Sequence, residues 1–127
     1  MNFEEFKNAL SGVRLGDKGV PKDDILIPLI NESLNQIARE VKPLGLVSSD
    51  IRDELLVILN EKYFIRKPNQ IVDDNSLLDI DEALLFAVVH HTASFVVHRD
   101  NKAEQIYRKD EIVADYKWMR HESSCDD

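Results

Sequence analysis

The chain has a single cysteine, four glycines, four prolines and one tryptophan in 127 residues. One cysteine excludes an intramolecular disulfide and, with it, a small secreted scaffold stapled by bridges; a lone thiol fits a reducing compartment. Cys125 stands in the terminal stretch ESSCDD, where its acidic neighbours disfavour the thiolate, and it is expected to be an incidental tail residue. Four scattered glycines cannot build a phosphate cradle, and no Walker loop, dinucleotide fingerprint, G-x-S-x-G elbow or C-x-x-C occurs. Basic residues are also scarce: 16 Lys and Arg against 24 Asp and Glu give a net charge of −8. Such a chain repels phosphate, so broad nucleic-acid grasping and membrane-surface binding are both disfavoured. No apolar run reaches the ~20 residues of a membrane helix. The first ten residues, MNFEEFKNAL, carry acids where a signal peptide needs bases.

What is present is an ordinary globular composition of single-domain length, 43% hydrophobic and 31% charged, so extended disorder is not expected. Phe3, Phe6 and Leu10 share a face and predict a short helix over 3–10, ended by Gly12, Gly16 and Gly19. Ile30, Leu34, Ile37 and Val41 predict a second helix, with Pro21 at its first position and Asp23 and Asp24 at its positive end. Pro28 requires either a bend or a later start, and Pro43 and Gly45 stop the helix. Residues 48–66 fit two patterns equally. Ile51, Leu55, Ile58 and Leu59 form a helical stripe, whereas ELLVIL and KYFIRK are two β-rich runs about Asn60-Glu61.

A polar loop leads into EALLFAVVHHTASFVVHRD, with Asp79 or Asp81 as the expected cap. No formal charge falls between Ala83 and Val97, so this helix, expected to run to about Arg99, must be covered on every side. In so small a chain, either the other elements surround it or a second copy completes the cover. A break at Asp100-Asn101 precedes a last helix. On its wheel Ala103, Ile106, Tyr107, Val113, Ala114 and Trp118 make one face, and Ile112, Tyr116 and Met119 an opposite one. One face would serve the core and the other a partner.

Chemical motifs are weak. His90, His91 and His98 lack the i, i+4 spacing and intervening acid of a helical zinc site, and are expected to be core or interface histidines. The triplet at His98–Asp100 is not a kinase loop, because Gln105 stands where that motif needs asparagine. The carboxylates of DDNSLLDIDE lack the glycine and spacing of a calcium loop. No catalytic, cofactor-binding or metal site is therefore expected. A small regulatory module binding a partner helix, or a histidine-based metal protein, are the competing readings.

The segments YFIRKPNQIVDDNSLLDIDEALLFAVVHHTASFVV and YRKDEIVADYKW resemble the head–tail connector (adaptor, or head-completion) proteins of tailed bacteriophages. The likeness rests on the order of Tyr63-Phe-Ile-Arg-Lys-Pro68, the LDIDEAL entry at 78–84, the apolar helix, and Tyr107 and Tyr116 nine apart. ILIPLINESLNQIA is similar to the first long helix of that family. The resemblance implies a mainly α fold, a small helical bundle around a central apolar helix, with a β-hairpin arm at 54–66. It implies one connector-like domain over 1–121, while the stretch 122–127, ESSCDD, which the likeness does not cover, is expected to be a flexible tail. It further implies a homo-oligomeric ring, commonly of twelve copies, under the portal protein at the capsid vertex of the virion. Tail proteins would sit on its other side, and DNA would pass through without specific binding. Tyr63, Phe64, Ile65 and Arg66 would form the second strand of the arm and face the tail or a neighbour. Ile112, Tyr116, Trp118 and Met119 would make oligomer or portal contacts.

Overall fold

The computed structural model describes residues 1–13, 15, 19–97 and 99–125, and for 99, 100 and 121–125 the backbone alone. Among these the fold is four helices and one three-stranded antiparallel sheet: α1 (Phe3–Ser11), α2 (Asp23–Val41), β1 (Val47–Ser48), β2 (Leu55–Ile58), β3 (Phe64–Arg66), α3 (Leu85–Val96) and α4 (Arg99–Cys125). The mainly α class with a hairpin is as the sequence suggested. Gly16, where a break was expected, His98 and the terminal Asp126 and Asp127 lie outside the described residues; the break expected at Asp100-Asn101 is not there, since both residues belong to α4.

α1 starts with a capping box: Asn2 accepts from the Glu5 N–H while the Glu5 carboxylate accepts from the Asn2 N–H. Its buried stripe is Phe3, Phe6 and Leu10. Lys7 ties it to its surroundings by bridging Asp23 at the start of α2 and Asp74 of the following loop, 3.2 and 2.8 Å away. α2 begins two residues later than the Pro21 reading, with Lys22 at the N-cap, and runs unbroken through the exposed Pro28. It ends at Lys42 in the left-handed conformation, φ 54°. A Leu44–Leu46 3-10 turn follows.

The ambiguous segment resolves to strands. Sheet order is β1-β3-β2, so β3 is central, with Val47 and Val57 both opposite Ile65 and with Ser48 and Ile58 opposite Phe64. A bulge between Leu55 and Val57 interrupts the pairing. The connecting turn is held by Asn60, whose side-chain oxygen accepts from the Lys62 and Tyr63 N–H groups. Tyr63 belongs to this turn and not to the strand. Ile65 is fully buried against Ala38 and Leu46, with Leu56 and Val57 packed beside it. Burying a side chain of that size contributes about 1.5–3 kcal/mol, enough to seat an arm that would be marginal alone.

The main core joins α1, α2 and α3 through Leu26, Ile30, Leu34, Ile37, Val88, Val89 and Ala93, with Val113 and Tyr116 from α4. α3 differs from expectation in three ways. Ala83 lies in a 3-10 turn, Glu82–Leu84, that leads into it, and the helix ends at Val96, not Arg99. Neither Asp79 nor Asp81 caps it with a side chain; both carboxylates are engaged elsewhere. Nor is its cover complete within one chain, because Phe86 remains 54% exposed and Phe95 42%. No helix among the described residues is long and apolar enough to cross a membrane.

Candidate functional site

Two regions carry the residues singled out by sequence: the arm, and the C-terminal half of α4 with the junction beneath it.

In the arm, strand alternation and the bulge put Leu55, Ile58 and Phe64 on the face opposite Ile65. Ile58 is 70% exposed and Leu55 half exposed, with Leu59 and Tyr63 open in the adjoining turn and Ile51 almost entirely so. The arm thus has an apolar inner face, used by the fold, and an apolar outer face. Among the four residues expected to face a neighbour, Tyr63 is exposed and Phe64 half-buried, but Ile65 points inward and Arg66 is committed to Asp79. That pair is bidentate, and the Asp79 carboxylate also accepts from the Asn69 N–H at 2.8 Å. Burial opposes the charge on Asp79, but the Arg66 hydrogen bonds, the Asn69 N–H and the Arg66 charge hold it below the usual carboxylate range. β2 is an edge strand.

At the other end, the junction beneath α4 is a polar knot. The Tyr116 hydroxyl donates to Asp81 Oδ2 at 2.6 Å and accepts from the Leu44 N–H at 2.9 Å. Asp81 Oδ1 accepts from the Gly45 N–H at 3.0 Å. A Cβ on Gly45 would overlap that oxygen, so the close approach needs glycine. Arg120 Nη1 donates to the Val41 and Lys42 carbonyls, placing a cation on the negative end of α2, and its guanidinium lies 5.7 Å from the Tyr116 ring centre. Burial and then the Asp81 bond push the Tyr116 phenol above its ordinary value. Above the knot is a dimple of about 200 Å³ lined by Leu44, Ala83, Tyr116, Met119 and Arg120.

This corrects both faces read from the α4 wheel. Among the described side chains of α4 the buried ones are Gln105, Lys109, Val113 and Tyr116, while Ala103, Tyr107, Ala114 and Trp118 are exposed. Tyr116 therefore belongs to the chain's own interior, and Ile112 is half-buried against the main core. Trp118 and Met119 do lie on the surface, 66% and 51% exposed. The turn of α4 was misread because its inward face is carried by a glutamine and a lysine.

Two of the histidines are hydrogen-bonded to side chains of neighbouring helices. His90 Nδ1 lies 2.8 Å from Gln105 Oε1, and His91 Nδ1 lies 2.8 Å from the buried Ser33 hydroxyl. His98 is outside the described residues. Among the described residues no three His, Cys, Asp or Glu side chains come together as a metal-ligand set. The exposed Leu55 and Ile58 of the sheet are the part of the candidate site that sequence reasoning did not isolate; the β-rich run ELLVIL was their only signal.

Compared with family models, with curated proteins and with solved structures, the chain matches none of them.

Proposed function

We propose that the chain is a structural subunit of a tailed-phage virion, a head–tail connector that assembles as a ring under the portal. The observation that carries this reading is the arm's outer face. A small sheet that already buries one apolar face leaves Leu55, Ile58, Ile51 and Leu59 in water. Large apolar side chains left exposed close together along one short stretch of chain mark a candidate contact surface. Phe86, Trp118 and Met119 add uncovered surface on the helices.

Electrostatics favours these surfaces as contacts between copies. The arm is balanced, with Asp50, Asp53, Glu54 and Glu61 against Arg52, Lys62, Arg66 and Lys67. The excess of acid sits elsewhere: 69–97 holds Asp73, Asp74, Asp79, Asp81 and Glu82 with no Lys or Arg. Neutral faces can meet in an otherwise acidic oligomer without strong repulsion. An acidic ring also suits a DNA passage, since a wall that repels phosphate lets a duplex slide. On this reading the protein has no catalytic role and takes no cofactor. Portal and tail proteins are its partners, and the capsid–tail junction is its place. Its copy number follows from the portal, commonly twelve.

The test is co-sedimentation with the portal ring encoded in the same genome, because a connector subunit can remain monomeric until the portal is present. Co-migration in a multiple-copy complex is expected; a chain that stays monomeric beside an intact portal ring argues against the reading.

A further inference from the structure

We infer that two copies of this chain pair edge to edge through β2, antiparallel about a two-fold axis, with Leu55 of each copy opposite Ile58 of the other. The pair is a property of the chain by itself and does not rest on the connector reading.

The first observation is an open edge. The sheet order is β1-β3-β2, so among the described residues β2 has a strand neighbour on one side only. The backbone N–H and C=O groups of its outer side are a template for another strand. Edges are commonly guarded by lysine, by proline or by being very short. β1, the opposite edge, is guarded in the last way, being two residues long. β2 is not: Leu55–Ile58 holds no charge and no proline, and Leu59 extends the apolar run to five.

The second observation says what covers that edge. A regular strand alternates its faces. In β2 the bulge between Leu55 and Val57 breaks the alternation. Leu56 and Val57 both pack on the cluster of Ala38, Leu46 and Ile65, while Leu55 and Ile58 are 52% and 70% exposed. Along the strand the order is out, in, in, out, and it reads the same backwards. A second β2 running antiparallel therefore matches this one face for face when 55 stands opposite 58 and 56 opposite 57. Sliding it by one residue or two sets an inward side chain against an outward one. In the matched register Leu55 and Ile58 of both copies close into one apolar cluster on the outer face, where each copy alone leaves them in water.

Charge agrees with the same register. Continued past the strand ends, it puts Arg52 of each copy opposite Glu61 of the other, with Asp53 diagonal to Lys62. From 50 to 63 no two like charges stand directly opposite. Arg52 bonds Asp50 of its own turn at 2.8 Å, yet its side chain is 87% exposed and so open to a second carboxylate. An unrelated apolar strand would bring neither the palindrome nor these charges. The contact is small beside the ~800 Å² per partner of a standard interface, so the dimer is weak. Being two-fold, it closes at two copies.

The experiment is sedimentation equilibrium on the full chain alone, from micromolar to near-millimolar concentration. Wild type is expected to rise from one chain mass to two and to stop there. Ile58→Lys, at an exposed position, is expected to stay at one. Glu61→Arg sets Arg52 against a like charge and should raise the dissociation constant severalfold; adding Arg52→Glu exchanges the two charges and should restore it. Should Ile58→Lys not fold, the charge exchange decides by itself, since Arg52 and Glu61 are both exposed. A wild-type chain that stays monomeric would assign the edge to a strand of another protein and overturn the inference. So would association that continues past two, a dimer that survives Ile58→Lys, or a charge-exchanged chain that pairs no more tightly than Glu61→Arg. None of these outcomes touches the portal test of the connector reading, because no portal is present.

Discussion

Replacing Tyr116 by Phe removes one oxygen and tests the junction beneath α4. In the native chain that oxygen donates to the Asp81 carboxylate at 2.6 Å and accepts from the Leu44 N–H at 2.9 Å. A hydrogen bond to a charged group is worth about 1.5–3 kcal/mol net. The Leu44 N–H adds little, because Leu44 is exposed and water can replace the lost partner. Asp81 retains the Gly45 N–H, so its charge is not left bare. The expected loss is therefore about 1.5–3 kcal/mol. With a urea slope of ~1–3 kcal/mol/M, the unfolding midpoint should fall by roughly 1 M. A double-mutant cycle with Asp81→Asn should show a coupling of at least about 1 kcal/mol, since the two groups are in contact. Urea unfolding followed by circular dichroism measures both. If Tyr116→Phe lies within about 0.5 kcal/mol of wild type, the knot does not exist in solution. A variant equally stable but defective in assembly would return Tyr116 to the contact role that its place in the sequence first suggested.

Three further outcomes are expected. Gly45→Ala should cost about 1–3 kcal/mol in the same assay, because the new methyl displaces the Asp81 carboxylate from the Gly45 N–H and from Tyr116. Thr92→Val should be neutral or stabilising by up to about 1 kcal/mol, since the buried Thr92 hydroxyl has no hydrogen-bond partner among the described residues and the swap keeps the shape; a loss above 1 kcal/mol would contradict that. Asp79 is held below the usual carboxylate value, so its contribution is present above pH ~3.8 and is lost as pH falls through its lower folded value. Thermal melts across that acidic window should show a fall in wild type that is absent in Asp79→Asn.

The legible parts of this fold were those where one physical signal dominated. The Phe3, Phe6, Leu10 spacing located α1, and the Ile30 to Val41 stripe located α2, because each buries a single apolar face. Residues 48–66 were not decidable from the chain alone: Ile51, Leu55 and Ile58 fit a helical stripe while ELLVIL and KYFIRK are β-rich, and what decides is tertiary, the slot that Ala38 and Leu46 offer Ile65. α4 misled for the opposite reason. Its apolar residues Tyr107 and Trp118 face outward, while Gln105 and Lys109 face in, because the surface they meet is the polar side of α3 and Glu40. A hydrophobic wheel cannot register a face whose partners are hydrogen bonds. The acids Asp79 and Asp81 were seen as helix caps from their position, yet each is drawn across the chain to Arg66 or to Tyr116 and Gly45. Long-range pairing of this kind has no local sequence signature.

The central claim is that the arm's outer face is an assembly surface. Native mass spectrometry of the chain mixed with its portal ring, wild type beside a Leu55→Lys, Ile58→Lys variant, addresses it most directly. Both positions are exposed, so the variant should fold with unchanged stability. The account expects wild type to load the portal with a full ring of copies and the variant to remain free. Equal loading by both chains, or none by either, would contradict it.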